Sequence, residues 1–153
     1  MITREEDGVW VELEESIGVH HEEVFAALTT ASGLMRWFAV SAEIDLRQGG
    51  LIVLGWQPSL RKTTTIAILD YDAGGSIVWD WFTATDNVHA PVYWTVEPSV
   101  EEGSKVKLRQ GPFATDTDSL LVMAHEAQMW RWYLCNMRSC YEVKNDMRKV
   151  KPL

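Results

Sequence analysis

From about Ser119 to Lys144 the chain runs without proline or glycine, after a long series of strand-like segments. Met123, Ala127, Trp130, Leu134, Met137 and Tyr141 recur there at steps of three and four, which gathers them on one stripe of an α-helix. A stripe of that length must be buried, and no other long apolar helix is written in the chain to receive it. Its partner is therefore one face of a sheet, which sets the class as α+β with a long C-terminal helix packed across a curved antiparallel sheet.

The preceding segments supply that sheet. Val9 to Ile17 alternates apolar and acidic residues with period two, the pattern of a half-buried strand. Six further strands are predicted at Ala42–Leu46, Leu51–Trp56, Thr63–Tyr71, Ile77–Phe82, Val92–Val96 and Lys105–Arg109. Turn residues separate them at Gly49-Gly50, Pro58-Ser59, Gly74-Gly75, Asp86-Asn87 and Pro98 through Gly103. Links this short imply a six-stranded antiparallel meander. Between the first strand and the meander the period changes: "HHEEVFAALTT" places Val24, Phe25 and Leu28 at helical spacing, with Glu22 and Glu23 in a first turn where they suit the helix dipole. "ASGLMRWFA" reads as a second short helix, broken from the first near Ser32 and Gly33. The first six residues and the terminal "VKPL" read as flexible ends, so the expectation is one domain, residues 1–153, with its core at about 9–144.

Strand alternation fixes where the large rings point. In "SIVWDWF", Ile77, Trp79 and Trp81 share one face and Ser76, Val78, Asp80 and Phe82 the other. In "VYWTVE", Val92, Trp94 and Val96 oppose Tyr93, Thr95 and Glu97. Trp79, Trp81 and Trp94 thus face inward, Trp130 meets them from the long helix, and Trp37 and Phe38 arrive from the short ones. Rings at strand spacing commonly form a plain core, each burying on the order of 150–250 Å². So many bulky rings between a bent sheet and one helix are also hard to fit at crystal-like density, and any space left over is an apolar pocket, so that spacing alone leaves both readings open. Its expected lining is Trp37, Phe38, Trp79, Trp81, Trp94, Met123, Trp130, Leu134 and Met137.

Composition narrows the partners. A net charge of −8 argues against a phosphate-binding surface, so neither nucleic acid nor an acidic membrane is expected. The N-terminus lacks an apolar signal core and no run of about 18 apolar residues occurs, which makes a cytoplasmic location the expectation. Cys135 and Cys140, five apart in a helix that turns about 100° per residue, point away from each other and are read as free thiols. No Gly-x-Ser-x-Gly elbow is present, and His20, His21, His89 and His125 have no metal-ligand spacing, so no catalytic residue, metal or cofactor is nominated. Asp80 and Arg36 are the polar groups to test for a catalytic role, with Asp80 on the outer face, where a solvated or paired side chain is expected. Leu121 and Trp132 fall opposite the buried helix face, and "LIVLGW" is apolar on both sides of its strand, so a covered outward face would point to a homodimer or another partner.

The order of elements is similar to the helix-grip fold of the START-related SRPBCC superfamily, and within it resembles the domain family named for the activator of heat-shock protein 90 ATPase. "HHEEVFAALTTASGLMRWF" carries Val24, Phe25, Leu28, Thr29, Trp37 and Phe38 at the matching positions. "DLRQGGLIVLGW" matches the family's Arg-x-Gly-Gly turn at Arg47, Gly49 and Gly50, and "SIVWDW" its strand ending on Trp81. "GSKVKLRQGPF" and "HEAQMWRWYLCNM" match its last strand and last helix, with Met129 where glycine is common. The resemblance runs from about Val9 to Tyr141 and implies an apolar cavity between sheet and helix. It implies a protein that binds a small hydrophobic molecule, whether lipid, polyketide or aromatic. The alternatives it carries are a chaperone-associated protein-binding module and a polyketide cyclase or aromatase-like enzyme.

Overall fold

The computed structural model describes residues 1–56 and 62–149. Eight strands alternate with three α-helices: β1 Ile2–Glu5, β2 Gly8–Ile17, α1 His21–Thr29, α2 Ala31–Trp37, β3 Ser41–Ile44, β4 Leu51–Gly55, β5 Thr63–Asp72, β6 Ser76–Trp79, β7 Val92–Pro98, β8 Ser104–Phe113 and α3 Thr117–Glu142. Single 3-10 turns at Val100–Glu102 and Met147–Lys149 complete the described elements. The strands form one antiparallel sheet in the order β1-β2-β8-β7-β6-β5-β4-β3. β3 to β8 are the expected meander, and β2 closes onto its last strand, pairing Leu13 with Leu108 and Ile17 with Ser104. α3 lies across the inner face, with Trp130, Leu134 and Met137 fully buried, so the helix-grip arrangement holds.

Four boundaries differ from expectation, each for a local reason. The first residues are not loose: Ile2 to Glu5 pair with Val11 to Gly8, and the Met1 ammonium donates to Glu12 O at 2.7 Å. Arg109 then ties Glu5 and Glu12 together from β8. The strand expected at Ile77–Phe82 leaves the ladder after Trp79, where the Asp80 amide donates to Ala67 O at 2.9 Å. Alternation survives the break, because Trp81 rejoins through its own carbonyl, which accepts from Ala90 N at 2.9 Å. The two helices part at Thr30 and not at Ser32 and Gly33. Thr30 Oγ1 accepts from Gly33 N at 3.0 Å, the geometry of an N-cap. α3 begins at Thr117 because Asp116 caps it, accepting from Ser119 N at 2.9 Å, and it ends at Glu142. The expected turn at Pro58-Ser59 and the terminal "VKPL" lie outside the described residues.

Two glycine sites carry the packing. Gly49 adopts φ +80° in the turn between β3 and β4, and a side chain on Gly50 meets Asp45 O at 1.9 Å. Gly33, inside α2, lets the two short helices touch: an added Cβ lies 2.1 Å from Ala26 O and 2.7 Å from Ala27 Cα. Beyond α3 the chain folds back on α2. Arg148 donates to Ala39 O at 2.9 Å, Met35 O at 2.7 Å and Arg36 O at 3.0 Å, while Asp146 holds its guanidinium in place. Asn136, buried in α3, donates to Trp37 O at 2.9 Å and accepts from Met147 N at 2.7 Å, which secures the same corner.

Gly33→Ala forces the α1–α2 corner apart through a backbone collision that no rotamer change relieves. The expected loss is about 1–3 kcal/mol, measured by urea unfolding. An unchanged midpoint would contradict the close approach.

Candidate functional site

The inner face of the sheet is a layer of indoles. Trp79, Trp81 and Trp94 stand on it because their strand positions share parity, and Trp130 descends between them from α3. Ring centroids lie 5.2 Å apart for Trp79–Trp94, 5.1 Å for Trp81–Trp130 and 5.6 Å for Trp94–Trp130. Phe38, at the C-terminus of α2, sits 5.8 Å from Trp79 and 5.6 Å from Trp130. Trp37 meets Trp94 edge to face at 6.0 Å, its Nε1 donating to Ala27 O at 2.9 Å. Separations of this size are those of favourable aromatic pairs, each worth about 0.5–1.5 kcal/mol beyond area burial. The layer is close-packed.

A cleft of about 650 Å³ opens beside it. Phe38, Trp56, Trp81, Phe82, Met129 and Tyr133 form its apolar wall, and Lys62, Thr64, Thr83 and Asn87 its polar margin. Trp56 is fixed by a bond from its Nε1 to Thr64 Oγ1 at 2.8 Å, and its ring meets Phe38 edge to face at 5.1 Å. The departure of the chain from β6 builds the opposite side: Thr83 N donates to Val88 O at 2.8 Å, Thr83 Oγ1 accepts from Val88 N at 2.9 Å, and Phe82 bridges to His89. Of the nine residues nominated from sequence, Phe38 and Trp81 are on the wall of this cleft. Trp79, Trp94, Trp130 and Trp37 pack behind them, with Met123, Leu134 and Met137 buried on the α3 stripe. The space beside the rings is thus displaced towards the β4–β5 end of the sheet.

The polar groups behind the wall are the ones that sequence reading passed over. Glu126 of α3 has no exposed surface. Its Oε1 accepts from Trp81 Nε1 at 3.0 Å and lies 3.5 Å from Gln110 Nε2, while Oε2 has no hydrogen-bond partner. Gln110 completes the chain of contacts, donating to Ala90 O at 3.2 Å and accepting from Trp130 Nε1 at 3.0 Å. Burial raises the titration of the Glu126 carboxyl from its ordinary value, opposed by the bonds from Trp81 and Gln110 and by the charge of His125. Signals for both residues existed: Gln110 continues the inward parity of Val106 and Leu108 on β8, and Glu126 lies four residues before Trp130 on the buried stripe.

The other nominated polar groups have structural partners. Asp80 is bonded to His89, with the Phe82 ring tilted against the imidazole at 4.9 Å. Arg36 donates to Cys140 O at 3.2 Å and lies 3.9 Å from the Tyr141 ring. His20 caps α1, its Nδ1 accepting from Glu22 N at 3.3 Å, and His125 is exposed. Cys135 and Cys140 are free thiols, the second buried and with its ionisation pushed up by desolvation. Among the described residues no helix is long and apolar enough to cross a membrane.

A curved antiparallel sheet gripping one long helix, with two short helices between the first strand and the meander, makes this a helix-grip protein. The chain belongs to the family Activator of Hsp90 ATPase homolog 1-like protein, whose sequence pattern matches residues 19–142. Solved structures share the fold. The Aha1 dimer from Colwellia psychrerythraea is 18% identical with a TM-score of 0.71, over 88% of this chain and 96% of that one. CalU16 from Micromonospora echinospora is 18% identical with a TM-score of 0.68, over 95% of this chain and 81% of that one. BexL, a di-domain ARO/CYC protein of the BE-7585A biosynthetic pathway, is 18% identical with a TM-score of 0.70, over 84% of this chain and 45% of that one. No curated protein sequence matches the chain.

Glu126→Leu strands the indole N–H of Trp81 and is expected to cost about 1–3 kcal/mol. Glu126→Gln keeps an acceptor for it. Because the folded carboxyl titrates above its unfolded value, wild-type stability is fully present below the ordinary carboxylate range and falls as pH rises through the raised value. The Gln variant lacks that slope, so it gains on wild type as pH rises in urea unfolding. Parallel pH profiles would contradict the raised titration of Glu126.

Proposed function

We propose that this protein binds a small hydrophobic molecule with at least one ring, seated in the cleft between Trp56 and the Trp81–Phe82 wall. The observation that carries this reading is the union of an open cleft of about 650 Å³ with a rigid aromatic floor. That volume lies within the roughly 300–1,000 Å³ of small-molecule sites. Phe38 and Trp81 make ligand contact. Trp37, Trp79, Trp94, Met123, Trp130, Leu134 and Met137 hold those two in register from behind, so that the wall does not collapse when the cleft empties. A ring slid between Trp56 and Trp81 stacks on flat faces already fixed by hydrogen bonds, which lowers the ordering cost of binding. The resemblance of the fold to a di-domain ARO/CYC protein supports a ring-bearing ligand.

The test is a titration with a panel of aromatic ketones, polycyclic hydrocarbons and fatty acids, followed by indole emission and calorimetry. Ring compounds are expected to quench and to release heat. Met129→Arg, placing a long cation at a half-buried wall position, lowers their affinity about tenfold or more at an unchanged melting temperature. Silence across the panel, or equal binding by the variant, rules out the cleft as the site.

A further inference from the structure

Five of the indole N–H groups in this protein have an acceptor: Trp10 on Asp7, Trp37 on Ala27, Trp56 on Thr64, Trp81 on Glu126 and Trp130 on Gln110. Two buried ones do not. Nε1 of Trp79 and Nε1 of Trp94 are without a partner, on rings 0% and 1% exposed that lie 5.2 Å apart. The remaining unpartnered buried atom among the described side chains is Oε2 of Glu126. Folded proteins pair nearly all of their buried polar atoms, so two orphan N–H groups on neighbouring rings call for an explanation. Both are donors only, and both need an acceptor.

The wall rings separate Trp79 from the cleft, and Trp94 lies behind Trp79. Trp81 is both a wall residue and the group bonded to Glu126, and its centroid lies 6.4 Å from that of Trp79. Phe38, the other wall ring, lies 5.8 Å from Trp79. We propose that the ligand of the cleft is a ring-bearing molecule with a hydrogen-bond-accepting oxygen, and that it reaches past Trp81 to Nε1 of Trp79 and Nε1 of Trp94. This inference rests on the ligand-binding reading above and narrows it. A saturated acyl chain or a bare polycyclic hydrocarbon leaves the two donors as they are, whereas a ketone or quinone oxygen, with two lone pairs, accepts from both. An amine is disfavoured, because it supplies donors to a site that already has two.

The matched pair fluorene and 9-fluorenone tests this on the full chain, since the two differ at one carbon by a carbonyl. Calorimetry reads affinity, and indole N–H signals in a nitrogen-15 correlation spectrum, assigned with Trp79→Phe and Trp94→Phe, read contact. The expected result is a preference of about tenfold for fluorenone, with the Trp79 and Trp94 N–H signals moving downfield. In Trp94→Phe, which keeps a ring and loses the donor, the preference shrinks. The wild-type shifts decide the matter even if that variant folds poorly. Equal affinity for both compounds, with movement confined to Trp56 and Trp81, overturns the inference and spares the ligand site. A fluorenone preference without movement at Trp79 and Trp94 also overturns it, and no response to either compound overturns the site as well.

Discussion

Trp130 is the joint on which the rest of the molecule depends. It brings α3 into the concave sheet, touches the rings of Trp79, Trp81, Trp94 and Phe38, and ends its indole N–H on Gln110 of β8. Helix placement, sheet curvature and the floor of the cleft are thereby one structural problem with one solution. A hydrophobic stripe alone would allow α3 to slide or rotate over the sheet, because apolar contact has little directional preference. The hydrogen bond to Gln110, and from Gln110 onward to Ala90 and Glu126, removes that freedom.

Burying a carboxyl in such a place carries a cost unless it is neutral and at least partly bonded. Glu126 is bonded through one oxygen and its titration is raised by burial, and the arrangement ties the segment after β6 to the long helix. That segment is where the sheet departs from regular pairing, at Asp80, and where the cleft acquires its second wall. Irregular backbone and buried acid therefore coincide at the same end of the molecule. The close-packed remainder of the core, from Ile17 through Met137, gives this end a stiff support.

Most of this architecture was legible in the sequence because two periodicities are written plainly. Parity alone placed Trp79, Trp81 and Trp94 on one face, and it did so even across a strand that stops at Trp79, since the chain rejoins the sheet two residues on. The stripe on α3 was equally clear. Less legible was whatever required tertiary partners. β1 is short and largely polar and exists by pairing with β2 and by the Arg109 ion pairs, so its own composition resembled a loose end. Ser32 and Gly33 resembled a helix breaker, although Gly33 serves to let α2 approach α1. Glu126 was hidden because a carboxylate at a stripe position is ordinarily read as the edge of the solvent face. The size and position of the cleft depend on how Phe38 and Trp56 meet, which no spacing rule encodes.

Arg148 closes the molecule in a way that bears on its mechanics. Its guanidinium grips three carbonyl oxygens at the end of α2 and just beyond it, a favourable place for a cation against the negative pole of a helix. The next residue but one from that grip on the helix side is Phe38, a wall of the cleft. Two stretches far apart in the polymer thus share one anchor, which fastens the backbone that carries the phenyl ring to the segment after α3.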